Sequence, residues 1–266
     1  MANVIRKLKD ADATSLLRLS FDKKLRYSWR KCIISSPTLI TELSAKFEFE
    51  DIILDKKPKG DLPYKFKNLL IVSPKILERV GQLKNSRAGI LATLSIPLPL
   101  SIESFDAKSM LILDGIEDLG ELGTLIRSAC AFGCKSVWIT HTCGDPFDPI
   151  CIRASQGALF TNMPYRVGSI DNAIKHCRQT TNITKLQLAH TSASIRLGIS
   201  EASLSESQMS FSGDFCLLVQ KNRSDHAIGD FKPIHLSNIE NPRILPISMA
   251  ASGLLYVLNS RYLVSS

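Results

Sequence analysis

The chain has 266 residues and a formal net charge of +8, with 44% hydrophobic and 22% charged residues. Those proportions exclude a wholly disordered or fibrous chain, and the length allows one large domain or two small ones, each with a core. The charge is unevenly placed: residues 1–100 hold 19 Lys/Arg against 10 Asp/Glu, while residues 101–266 hold 14 against 15. Such asymmetry fits either a polyanionic partner, nucleic acid being the commonest, or a solvated lysine-rich surface with no partner.

In chain order, MANVIRKLKD lacks the apolar core of a signal peptide. Residues 14–31 read as one basic helix, with Leu16, Leu17, Leu19 and Leu25 apolar and Lys23, Lys24, Arg26, Arg30 and Lys31 cationic. Strands are expected at Cys32–Ile34, Asp51–Leu54, Asn68–Val72 and Ile90–Ile96. Helices at Pro37–Phe47 and Pro74–Leu83 lie between them, each with Pro in its first turn. Pro97 and Pro99 then break periodicity, and the charge balance changes. These two signals set a linker at 98–108, between a domain at 1–97 and another at 109–266.

Beyond the linker the alternation is clearer. Met110–Leu113 is an apolar strand and Gly123–Phe132 a helix that stops at Gly133. Lys135–Thr140, Leu186–His190 and Phe215–Val219 are strands, Asp171–Arg178 is a helix, and a final helix starts near Ser248. Spacing of this kind predicts a parallel sheet covered on both faces. The Ser-rich stretch 192–213 reads as surface loop. No apolar run approaches the roughly 20 residues needed to span a bilayer.

The seven cysteines form no CxxC pair, and Cys130-x3-Cys134 has no matching His/Cys pair after it. Buried free thiols in a reducing compartment are therefore expected, with no metal site. The five histidines show no ligand spacing. No nucleophile elbow or lysine-bearing phosphate loop occurs, and together these absences argue against a nucleophilic hydrolase or a metal enzyme.

The stretch LILDGIEDLGELGTLIRSACAFG (111–133) closely resembles the first signature motif of the SpoU/TrmH family of RNA ribose methyltransferases, through Leu113, Asp114, Ile116, Asp118, Gly123, Arg127, Ala129, Ala131, Phe132 and Gly133. RASQGALF (153–160) is similar to the family's next block, and LPISMAASGLLYVL (245–258) to its third motif. KNSRAGILATLSIP (84–97) is similar to the end of the small substrate-binding domain that precedes the catalytic one in many members. The resemblance implies an α/β chain: a small N-terminal α/β substrate-binding domain, then a parallel-sheet α/β domain with a trefoil knot. It also implies a homodimer that methylates a ribose 2′-hydroxyl of structured RNA, ribosomal or transfer, with S-adenosylmethionine as cofactor.

By the same resemblance Arg127 and Ser248 are the catalytic residues, and the chain around Ile234 and Leu245 holds the cofactor. Lys23, Lys24, Arg26, Arg30, Lys31, Arg127, Arg153 and Ser155 are the RNA-binding candidates. Two assignments have rivals: Arg127 either faces RNA or pairs with Asp118 or Glu117, and Arg153 with Ser155 either touches RNA or braces a helix start.

The sequence also departs from the family pattern. Glu121 stands where the family has Asn. In the second motif Lys221, Arg223, Ser224 and His226 stand where the family has glycines and a glutamate. In the third, Ile244, Leu245 and Pro246 replace Ser-Leu-Asn. Glycines there let backbone approach a cofactor closely, so side chains should obstruct it. The competing readings are a methyltransferase, a non-catalytic RNA-binding assembly factor on the same fold, with Lys221 and Arg223 adding cation to its groove, and a protein-interaction subunit.

Overall fold

The computed structural model describes residues 4–9, 13–83, 89–102, 104–105, 108–161, 163–180, 183–190, 214–221, 230–233 and 246–263. In chain order the elements are β1 (Val4–Lys7), α1 (Thr14–Phe21), α2 (Lys23–Trp29), β2 (Lys31–Ile34), α3 (Pro37–Ser44), β3 (Phe49–Leu54), β4 (Phe66–Ile71), α4 (Pro74–Gly81) and β5 (Ile90–Ser95). There follow β6 (Met110–Asp114), α5 (Leu119–Ala131), β7 (Ser136–Thr140), α6 (Pro149–Ser155), α7 (Ala158–Thr161), β8 (Tyr165–Gly168), α8 (Ile170–Gln179), β9 (Thr184–His190), β10 (Phe215–Lys221), β11 (Lys232–Pro233) and α9 (Ile247–Leu263). The chain divides into two compact units. One is Met1–Leu98 with Asp145–Thr161; the other is Pro99–Gly144 with Asn162–Ser266. The first unit thus takes in the RASQGALF block.

The first unit carries a five-stranded mixed sheet in the order β1-β4-β3-β5-β2. β1, β4 and β3 run parallel, while β5 is antiparallel to both β3 and β2. On one face Ile33, Ile53, Leu70 and Leu91 join Leu16 and Leu19 of α1 and Ile76, Leu77 and Val80 of α4 in one core. Alternation along the strands sends Ile52 and Leu69 the other way, and both are buried.

The single basic helix expected over 14–31 is two helices and the start of a strand. Asp22 has extended backbone (φ −102°, ψ 103°), and its carboxylate accepts the Leu25 amide, so it caps α2 and ends α1. A short acceptor that bonds nearby backbone competes with helix continuation. Arg30 then ends α2 in the left-handed region (φ 53°), and Lys31 opens β2.

The second unit carries a six-stranded sheet, order β11-β9-β10-β6-β7-β8, parallel throughout. Met110, Ile112, Trp138, Cys216 and Leu218 form one apolar face with Ala173, Ile174 and Cys177 of α8. Alternate residues Leu111, Leu113, Val137 and Ile139 are buried on the opposite face. β6, β7 and most of β10 are therefore continuously apolar, as expected for strands covered on both sides. Helix α5 begins at Asp118, earlier than the apolar periodicity indicated, because the Asp118 carboxylate accepts the Glu121 amide. Gly133 follows its end with φ 77°.

Residues 222–229 and 234–245 of the C-terminal region, where the resemblance implies a knot, and the Ser-rich stretch 192–213 lie outside the described residues. No described helix is long and apolar enough to cross a membrane.

Candidate active site

The second sheet reverses strand order at β6. The chain lays β7 and β8 on one side of it and β10 and β9 on the other. In a parallel sheet the carboxyl ends share one edge, and ligands of open α/β sheets bind outside those ends at the reversal. The residues at that point are Asp114 and Gly115 after β6, Gln220 and Lys221 of β10, and the start of α5.

Asp114 is 2% exposed. Its carboxylate accepts from Thr140 Oγ1, Thr142 Oγ1 and Gln220 Nε2, each at 2.8 Å. Gln220 Oε1 accepts from Gln187 Nε2 at 3.0 Å. A buried carboxylate costs several kcal/mol unless so satisfied, hence the polar side chains from β7, β9 and β10 converging on it. Gly115 has φ 71°, and a Cβ there would lie 2.8 Å from the Lys221 carbonyl oxygen. Only glycine allows the chain to leave β6 this close to β10. Cys143 donates to the Leu113 carbonyl, and burial pushes its thiol pKa up, which disfavours the thiolate.

Two of the departures from the family pattern meet here. Lys221 Nζ lies 2.7 Å from Glu121 Oε2, a partly exposed ion pair that joins the end of β10 to the first turn of α5. Lys221 is therefore drawn toward α5, and its charge is cancelled rather than added to a groove.

Arg127 lies on the exposed side of α5. Of the two expected rivals for it, Asp118 is committed to capping the helix, and Glu121, in the first turn of α5, holds Lys221. Ser248, buried in the first turn of α9, accepts at its carbonyl from Ser252 Oγ, which also meets Ser128 Oγ of α5 at 2.7 Å. Helices α5 and α9 are thus fastened together, with Phe132 and Tyr256 edge to face at 5.8 Å. Ile234 and Leu245 lie outside the described residues.

The RNA-binding candidates of the first unit divide. Lys23, Lys24 and Arg30 are exposed. Lys31, on β2, is ion-paired with Glu50. Arg26 corrects the expectation of a cationic surface residue. It is 2% exposed, with Nε 2.7 Å from Asp145 Oδ2, Nη2 3.4 Å from Asp148 Oδ2, and Nη1 donating to the carbonyls of Leu19 and Ser20. A guanidinium used in this way has no face left for phosphate.

Arg153 and Ser155 turn inward too. Arg153 donates to Ser35 Oγ and to the carbonyls of Gly81 and Gln82, and burial lowers its pKa. Ser155 Oγ bonds the Ile152 carbonyl. Gln156 and Gly157 follow with φ 50° and 66°, and a Cβ on Gly157 would meet Leu39 of α3 at 2.8 Å. The block is a turn that docks α6 and α7 into the first unit.

Sequence reasoning missed Asp145 and Asp148, whose buried partner is 119 or more residues away. It also missed Thr140, Thr142 and Gln220, which carry no local signal. Among the described residues no group of three or more His, Cys, Asp or Glu could hold a metal ion.

Residues 108–218 match the SpoU rRNA Methylase family. An uncharacterised tRNA/rRNA methyltransferase of Synechocystis sp. is 33% identical over 88 residues, 33% of this chain and 32% of that protein. The human mitochondrial rRNA methyltransferase 3 is 45% identical over 51 residues, 19% of this chain and 12% of that one. The chain thus matches a third or less of either relative's length. The SpoU methyltransferase AviRb of Streptomyces viridochromogenes, solved with AdoMet, superimposes over 96% of this chain and 99% of its own, at TM-score 0.72 and 15% identity. The match to the SpoU family runs through residues 108–218, which carry the motif, the sheet reversal and the α5 site.

Proposed function

We propose that the chain transfers a methyl group from S-adenosylmethionine to a ribose 2′-hydroxyl of ribosomal or transfer RNA. The observation that carries this is Arg127, an exposed guanidinium on the helix that starts at the sheet reversal, with Asp118 and Glu121 already engaged. A ribose hydroxyl must be held in line and lose its proton during attack. An arginine side chain is too basic to accept that proton readily. Its contribution is a bidentate grip on the adjacent phosphate, which orients the hydroxyl and stabilises charge as it develops. Ser248 supplies a hydroxyl at the start of α9, the helix fastened to α5.

S-adenosylmethionine would supply the electrophilic methyl group. The residues implied to hold it, around Ile234 and Leu245, are not among those described. The described rim is compatible with it, because the Glu121–Lys221 pair cancels the charge of both substitutions and draws the side chain at the glycine position aside.

A homodimer fits α9, which exposes Met249, Tyr256 and Val257 on one side around Gly253, whose missing side chain leaves open space. The seven free cysteines fit a reducing compartment, cytoplasm or organellar matrix.

The test is transfer of labelled methyl from S-adenosylmethionine to total rRNA and tRNA, with calorimetric titration of the cofactor alone. Arg127→Ala should lower kcat/KM at least about 100-fold and leave cofactor affinity unchanged. An Arg127→Ala protein of full activity, or wild-type protein that binds no cofactor at millimolar concentration, overturns the proposal.

A further inference from the structure

The corner between α1 and α2 exposes aromatic rings that the first unit's core does not use. Phe21, the last residue of α1, is 61% exposed, and Trp29, the last of α2, is 47% exposed. Tyr27 is partly exposed between them, anchored through its hydroxyl to Asp145 Oδ1 at 3.1 Å. Phe21 forms a wall of a shallow concavity of about 510 Å³ whose other lining residues are Leu17, Arg18, Asp22, Lys23 and Lys24. The anion among them, Asp22, caps α2 and lies 3.8 Å from Arg18, so the rim is left cationic. Arg30 extends the positive charge beyond Trp29.

We propose that this corner binds unpaired nucleotides of RNA, with bases stacked on Phe21 and Trp29 and phosphates held by Lys23, Lys24 and Arg30. The inference rests on the reading of the chain as RNA-directed and specifies the mode of recognition. A duplex offers phosphates but keeps its bases stacked on one another, so exposed rings gain nothing from it. An unpaired base has a free face, and stacking on an aromatic side chain combined with a cationic track is how single strands are held. A second copy of the chain fits less well. A two-fold interface would set the same patch against itself and bring Lys23, Lys24 and Arg30 toward their own counterparts.

The chain has two tryptophans, and the other, Trp138, is 1% exposed. Quenching of tryptophan emission therefore reports on Trp29. The full chain, without cofactor, is titrated at fixed low salt with an oligouridylate of about a dozen nucleotides and with an RNA duplex of equal length. The single strand should quench the emission and the duplex should not. Phe21→Ala and Trp29→Ala should each weaken single-strand binding about 5-fold to 100-fold and leave duplex binding unchanged, while Phe21→Tyr retains it. Both sites are exposed, so the variants should keep the wild-type circular dichroism and mass.

Equal weakening for strand and duplex, unchanged single-strand affinity, or a change of oligomeric mass in place of RNA affinity overturns the proposal. The binding assay contains no methyl donor. Quenching without methyl transfer would sink the assigned activity and leave the surface standing; methyl transfer without quenching would do the reverse.

Discussion

Replacing Arg26 tests how the first unit is held together. Arg26→Met keeps the length of the side chain but removes its charge and every donor. Four contacts disappear: the 2.7 Å bond to Asp145, the longer one to Asp148, and two bonds to the carbonyls of Leu19 and Ser20. Asp145 keeps the Tyr27 hydroxyl and the Phe147 amide, and Asp148 keeps Gln82 and the Ile150 amide. Both carboxylates would then sit buried with hydrogen bonds but no counter-charge. Breaking a buried pair from one side costs about 3–5 kcal/mol, and the surviving bonds place this case at the lower end. Arg26→Lys restores the charge but not the fork, so its loss should be smaller, about 1–3 kcal/mol.

The assay is urea unfolding followed by Trp29 emission, with circular dichroism recorded alongside because two units need not unfold in one step. With a slope of about 1–3 kcal/mol/M, Arg26→Met should lower the midpoint by roughly 1 M or more. An unmoved midpoint refutes the reasoning. The salt dependence of RNA binding gives a second check on Arg26→Lys. Lys23→Ala should reduce the log–log slope by about one, as loss of a phosphate contact does, whereas Arg26→Lys should leave it unchanged.

Gly115→Ala forces a Cβ against the Lys221 carbonyl at φ 71°, so it should cost about 1–3 kcal/mol in thermal unfolding; an unchanged midpoint contradicts the close approach of β6 and β10. Glu121→Asn and Lys221→Gly, made singly and together, should show a coupling of up to about 1 kcal/mol, since the pair is partly exposed; strict additivity would deny the pair. Burial is the main cause raising the Asp148 pKa, so the folded state binds that proton more tightly than the unfolded chain does. Its contribution to stability should fall as pH rises from about 4 through the raised value, and Asp148→Asn should flatten that fall in a pH series of melting temperatures. A steeper fall in the variant would contradict the assigned sign.

What the sequence disclosed followed from local signals. The parallel sheet was legible because β6, β7 and β10 are short apolar runs between helical stretches, and Gly133 marks the end of α5. The helix that carries Arg127 was legible through the motif around it. The break at Asp22 was not, because the residues on either side keep a helical pattern and only the cap separates α1 from α2. Nor was the burial of Arg26, since its neighbours in sequence are cationic and exposed while its partners lie beyond residue 140. RASQGALF was recognisable as a block, yet its polar letters serve a turn. Arg153 and Ser155 meet carbonyls and a hydroxyl, and Gly157 clears Leu39. A motif match shows that residues are set in a pattern and does not show which of them face outward.

The same distinction changes how Glu121 and Lys221 are weighed. Taken singly, each is a loss for the proposed activity: an amide exchanged for an anion where RNA phosphate would arrive, and a glycine exchanged for a long side chain where backbone would approach a cofactor. Taken together they are one ion pair across 100 residues. Either substitution alone would leave a partly buried charge without its partner, whereas the two together cost little. The charge at the sheet reversal is then close to what an Asn and a Gly would give, and the exposed cation on α5 is still Arg127. These two letters therefore do not by themselves count as damage to the proposed methyl-transfer site. If the pair is what keeps the site serviceable, Glu121→Asn should lower methyl transfer more than the Glu121→Asn/Lys221→Gly double variant does. Equal activity in the two would show that the pair serves stability alone.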